Sequence, residues 1–122
     1  MGRPALAGKL EKPGRAEKVA TTHLLLFNFT DDGIRTVKDH PKRAARAFKI
    51  VTDAGGDCIF YLTIGGCYDM VSTITGLDDV AIAKLVLALN SLGTVRTTVL
   101  RGLPLRADQW AQLVAEIPPA PR

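Results

Sequence analysis

Aromatic side chains make up only 6% of the 122 residues, and cysteine occurs just twice, at Cys58 and Cys67. The first scarcity means that the core is built from aliphatic side chains and alanine. The second excludes a disulfide framework, since a domain of this length buries a core large enough to fold without covalent staples. No C-x-x-C pair with distant histidines is present, so no metal and no cofactor is expected. No apolar run approaches the roughly 20 residues that a spanning helix needs. Residues 1–22 contain no apolar h-region, which argues against a secretory signal. These absences point to a cytoplasmic protein without a membrane role.

Charge of one sign is also missing from most of the chain. Residues 1–22 carry Arg3, Lys9, Lys12, Arg15 and Lys18 against Glu11 and Glu17, a net +3. The remaining 100 residues hold eleven bases and ten acids, a net +1. A nucleic-acid-binding domain carries its excess on the folded part, so no nucleic-acid partner is expected. With Pro4, Gly8, Pro13 and Gly14 and no hydrophobic period, residues 1–22 read as a flexible tail. The folded domain is expected over residues 23–117, and the proline-rich end, 118–122, as a second tail.

His23–Phe29 (HLLLFNF) reads as a buried strand. Thr30 suits a helix N-cap, and Asp31 and Asp32 suit the positive end of that helix. Asp39-His40-Pro41 interrupts it, and a second helix is expected from about Pro41. Ala44, Ala45, Phe48, Val51 and Thr52 give that helix an apolar face, with Lys42, Arg46 and Lys49 as a solvated stripe opposite. Gly55-Gly56 stops it. Cys58–Ile64 and Tyr68–Thr75 form a hairpin about Gly65-Gly66; with a two-residue turn, Ile64 faces Cys67 and Cys58 faces Thr73. The cysteines are then too far apart to bond and serve as small apolar fillers. Asp78 caps a helix over Asp79–Leu92 that Gly93 closes. Thr94–Leu100 is a fourth strand, and a last amphipathic helix carries Trp110, Leu113, Val114 and Ile117.

The order strand, helix, two strands, helix, strand is the split β-α-β motif of a ferredoxin-like α+β fold with an added C-terminal helix. Right-handed crossovers put the four antiparallel strands in the order 4-1-3-2, with both crossover helices on one face. The opposite face should then alternate to polar residues. It does not, because neither face is polar: strand 1 has Leu24 and Leu26 against Leu25, Phe27 and Phe29, strand 2 has Ile59 and Tyr61 against Phe60 and Leu62, and strand 3 has Met70 and Ile74 against Val71. The Asp79–Leu92 helix is apolar nearly all round. A second copy of the chain is the expected cover, and the protein is expected to be a homodimer or higher oligomer.

The same strand order brings the end of strand 1 beside the starts of strands 3 and 4. Asn28, Tyr68, Asp69 and Arg96 are therefore the candidate ligand-binding residues, while His23 and Arg101 belong to the other end. Asp69 and Arg96 lie about 9–10 Å apart across the central strand, close enough for a network through Asn28. Such a set can hold a small polar or anionic ligand, or move a proton with Asp69 as base and Tyr68 as donor. The structural alternative is a polar knot that ties hairpin, helix end and strand together.

From His23 to Ile117 the sequence also resembles the GYD-domain family of small bacterial and archaeal proteins. The resemblance rests on Asn28-Phe29-Thr30-Asp31-Asp32-Gly33-Ile34-Arg35, on Val37-Lys38-Asp39-His40-Pro41-Lys42-Arg43, on Gly66-Cys67-Tyr68-Asp69, and on Ala88-Leu89-Asn90-Ser91-Leu92-Gly93-Thr94-Val95-Arg96-Thr97. In the family one residue, usually polar, separates the glycine from the Tyr-Asp pair; here it is Cys67. The resemblance implies a ferredoxin-like fold related to dimeric α+β barrels, and no established activity. Three functions remain open: a small-molecule-binding or regulatory homo-oligomer without turnover, a cofactor-free enzyme of the dimeric barrel type, and a structural assembly module. The first is the expectation.

Overall fold

The computed structural model describes residues 21–121. The N-terminal tail expected over residues 1–22 lies outside the described residues up to position 20. The described residues divide into two compact units, 21–102 and 103–121.

In the first unit the element order is β1 (Thr22–Phe29), α1 (Asp31–Arg35), a 3-10 turn (Val37–Asp39), α2 (His40–Asp53), β2 (Asp57–Leu62), β3 (Met70–Thr75), α3 (Asp79–Ser91) and β4 (Val95–Gly102). The second unit contains α4 (Ala107–Ala115). The four strands form one sheet in the order β2-β3-β1-β4, all neighbours antiparallel. Read from β4, this is the order 4-1-3-2.

Local chemistry starts and stops the helices. The Thr30 hydroxyl accepts the Gly33 N–H, and the Asp78 carboxylate accepts the Ala81 N–H at 2.9 Å, so each satisfies one of the orphan donors of a first turn. At the end of α2, Gly55 turns left-handed with φ +94° and lets the Gly56 N–H reach back to the Val51 carbonyl.

Alternation along the strands decides what is buried. His23, Leu25 and Phe27 of β1, Cys58 of β2, and Met70, Ser72 and Ile74 of β3 point to one side. The apolar ones among them join Val51 of α2, Ile82 and Leu85 of α3, and Val95 of β4 in a single core. This is the aliphatic core that the low aromatic content requires.

Three details differ from the expectations. Residues 63–69 connect β2 to β3, and the register pairs Cys58 with Ile74 and Leu62 with Met70. A two-residue turn would slip this by one, turning Asp57, Ile59 and Tyr61 inward in place of Cys58, Phe60 and Leu62. Burying the Asp57 carboxylate is the costliest part of that alternative. Second, Cys67 is exposed in this loop and fills no gap, while Cys58 is a buried filler; both are free thiols. Third, the buried line of α2 is Ala47 and Val51, with Arg43 and Ala44 half-buried above them. Ala45, Phe48 and Thr52 are exposed. No described helix is long and apolar enough to cross a membrane.

Candidate functional site

The 63–69 loop closes over the end of β1. Within the loop the Thr63 N–H donates to the Asp69 carbonyl at 3.2 Å, and the Thr63 hydroxyl donates to the Tyr68 carbonyl. From β1, Asn28 Nδ2 donates to the Cys67 carbonyl at 2.8 Å. The Asp69 N–H donates to the Phe27 carbonyl, and the Phe29 N–H donates to Asp69 Oδ2, both at 2.8 Å. Main chain and side chain of Asp69 thus continue the β1–β3 ladder one step beyond its last paired residues.

Asn28 and Arg96 are opposite one another in the β1–β4 register, so all four candidate residues share one end of the sheet. They are not equally engaged. Asn28 and Asp69 are hydrogen-bonded as described, and Tyr68 is half-buried and takes part through its carbonyl. Arg96 is exposed, and no ion pair or hydrogen bond joins its side chain to Asp69, Asn28 or any other described residue. The network through Asn28 therefore stops at the β1–loop junction.

The junction continues on the far side of Phe29. The Thr30 N–H donates to the Thr94 carbonyl at 3.0 Å, and the Thr30 hydroxyl donates to the Gly93 carbonyl at 2.6 Å. Gly33 lies so close that a Cβ there would fall 2.0 Å from the Thr94 oxygen. Only glycine permits this approach of α1 to the start of β4.

Beneath the same end, on the core side, a half-enclosed cavity of about 30 Å³ lies between α2, α3 and the sheet. Apolar side chains such as Phe27, Phe60, Met70, Leu89 and Val95 form most of its wall, and His40 and Arg43 supply charge and polarity. His40 packs edge-on against Phe29, ring centres 5.3 Å apart. Burial first, and the Arg43 charge second, hold its pKa below the ordinary histidine value. Nothing in the local pattern marks this pair except spacing. Arg43, Ala47 and Val51 are four apart and form one line on the helix, which sets Arg43 off from the solvated Lys42, Arg46 and Lys49.

A second polar cluster sits at the opposite end of the sheet. His23, 3% exposed, shares a 2.8 Å hydrogen bond between its Nε2 and Asp79 Oδ1, and Arg101 Nε lies 3.5 Å from the same oxygen. The hydrogen bond from His23, and then the Arg101 charge, hold the Asp79 carboxyl below its usual range. Among the described residues no group of three or more His, Cys, Asp or Glu side chains converges as a metal site would require.

The loop that carries Gly66-Cys67-Tyr68-Asp69 falls inside the reach of a family model: that of the GYD domain matches residues 23–112. The chain belongs to the GYD-domain family. This GYD-domain protein is also similar to a Thermus thermophilus protein described as "glutamine synthetase and cystathionine beta-lyase binding protein". The two are 31% identical over 93 residues, covering 75% of this chain and 97% of the relative. No solved structure matches significantly.

Proposed function

We propose that this GYD-domain protein works without turnover, as a self-associating module that binds another protein and regulates it. The supporting observation is the face of the sheet turned away from α2 and α3. Ile59 (56% exposed), Tyr61 (49%) and Leu100 (49%) stand on it, with Leu24, Leu26 and Val71 half-buried between them. By register they lie in two rows across all four strands, Leu100, Leu24, Thr73 and Ile59 in one and Thr98, Leu26, Val71 and Tyr61 in the other, in which Thr73 and Thr98 are the polar members. A contiguous exposed apolar surface of this kind marks an interaction site, and isologous pairing through a sheet face is a common way for a small chain to cover it.

The relative's description adds protein binding to this reading. Glutamine synthetase and cystathionine beta-lyase, taken from this chain's own source, are therefore the first partners to test. Light scattering after gel filtration measures the protein alone, and co-elution with each enzyme follows. The expected result is a dimer or larger species at micromolar concentration that Tyr61→Glu converts to monomer, with co-elution of at least one enzyme. A wild-type monomer that co-elutes with neither enzyme would defeat the proposal.

A further inference from the structure

The cavity beneath the start of α2 has a chemistry of its own, separate from the apolar sheet face. Arg43 is a half-buried cation. Its terminal nitrogens donate to the Thr36 hydroxyl at 3.1 Å, to the Thr36 carbonyl at 3.3 Å and, weakly, to the Gly33 carbonyl at 3.5 Å. All three acceptors are neutral. No carboxylate pairs with it among the described residues, and no acid lines the cavity. Its Nε is buried and has no partner, and neither has Nδ1 of His40, which lines the same cavity one helical turn earlier. A half-buried cation without a counter-charge and two buried polar atoms without partners each carry a cost. Both arise around one cavity, so among the described residues nothing completes it.

We propose that this cavity binds a small organic monocarboxylate. The Arg43 guanidinium is the charged donor to one carboxylate oxygen, and His40, one turn earlier on the same helix, offers a second contact. The apolar tail lies against the wall of Phe27, Phe60, Met70, Leu89 and Val95. Three features select this class. The sole charge in the wall is positive. A carboxylate has one planar head that an arginine edge recognises. The volume, room for about two water molecules, admits a short chain, and the open side lets a tail extend outward. A phosphate fits badly, because its further oxygens would meet apolar carbon without donors. The site stands whether or not the chain docks on an enzyme.

The test is a titration of the full chain followed by nitrogen–proton correlation spectra, with butyrate, inorganic phosphate and butanol as separate probes. Butyrate should produce saturable shifts in the millimolar range, including the Arg43 Nε–H resonance and the amides that line the cavity, while phosphate and butanol should not saturate. Arg43→Gln should weaken butyrate by at least about tenfold, the loss of one charged contact. Because Arg43 also ties α2 to the Gly33–Thr36 segment, a second variant is needed. Ala44→Leu fills the cavity and leaves Arg43 in place; it should keep the wild-type fold and lose butyrate. Failure of wild type to saturate with butyrate would overturn the proposal, as would unchanged binding in Ala44→Leu. Equal response to phosphate would show general anion attraction, and equal response to butanol would show an apolar cavity indifferent to charge; either result also overturns it.

Discussion

The Asp69 side chain takes the place of a strand residue for Phe29: its Oδ2 accepts the Phe29 N–H at 2.8 Å, where β3 no longer runs alongside β1. The Tyr-Asp pair of the family motif thus supports the frame directly. Asp69→Ala removes the acceptor and is expected to cost about 0.5–1.5 kcal/mol, the net worth of one hydrogen bond. Asp69→Asn retains an acceptor oxygen and should cost less. Arg96→Gln, with no described partner to lose, should stay within about 0.5 kcal/mol. Denaturant melts of the three variants beside wild type measure this. An Arg96→Gln loss as large as that of Asp69→Ala would reveal a coupling between the two residues.

Asp79 predicts an acid-side signature. Its carboxyl is held below the ordinary range by the His23 hydrogen bond and the Arg101 charge. A depressed carboxyl contributes stability that is present above its unfolded value and is lost as pH falls through the folded one. Asp79→Asn should therefore be less stable than wild type near neutrality and converge with it in acid. Thermal melts over that range check the convergence; a constant gap would contradict it.

His40 acts over a different range. Its value lies below the ordinary 6.5 because of burial and Arg43. Between the folded and unfolded values the unfolded chain binds more protons, so stability rises with pH across that window. Wild type should lose stability as pH drops below about 6.5, and His40→Phe should lose less. Urea midpoints at a series of pH values measure the difference, and parallel curves for the two proteins would contradict it.

Gly33→Ala should be among the most harmful single-methyl additions in the chain. The new Cβ would meet the Thr94 carbonyl oxygen at 2.0 Å, with backbone on both sides. Overpacking of this kind costs about 1–3 kcal/mol or more. Circular-dichroism melts would report it, and a wild-type midpoint would show that α1 can lift away from β4.

The parts of this fold that follow from local chemistry were legible in the residues themselves. Thr30 and Asp78 announce helix starts because a short polar side chain there bonds the backbone three residues on. HLLLFNF announces a central strand because it is apolar on both faces. The strand order follows from the handedness of the crossovers, and with it the shared end of Asn28, Tyr68, Asp69 and Arg96. Four things were not legible. Gly65 and Gly66 signal a reversal, and both do adopt left-handed φ, but a pair of glycines does not say how many neighbours leave the ladder with them. The α2 periodicity admits two adjacent phases, and the choice between Ala47 and Phe48 depends on what the sheet presents. The His23–Asp79 bond joins residues 56 apart, and the His40–Arg43 cavity exists only once α3 and β4 are in place.

The position of β1 also bears on how the chain is made. It lies between β3 and β4, so β1 can be paired on one side only after residue 75 has been added and on the other only after residue 102. Until residue 75 Leu24, Leu25, Leu26 and Phe27 have no partner strand on either edge, and until residue 102 they have none on the β4 edge. Apolar edges exposed in this way invite pairing between chains. Aggregation during synthesis should accordingly respond to translation speed over residues 70–102 more than over any earlier stretch.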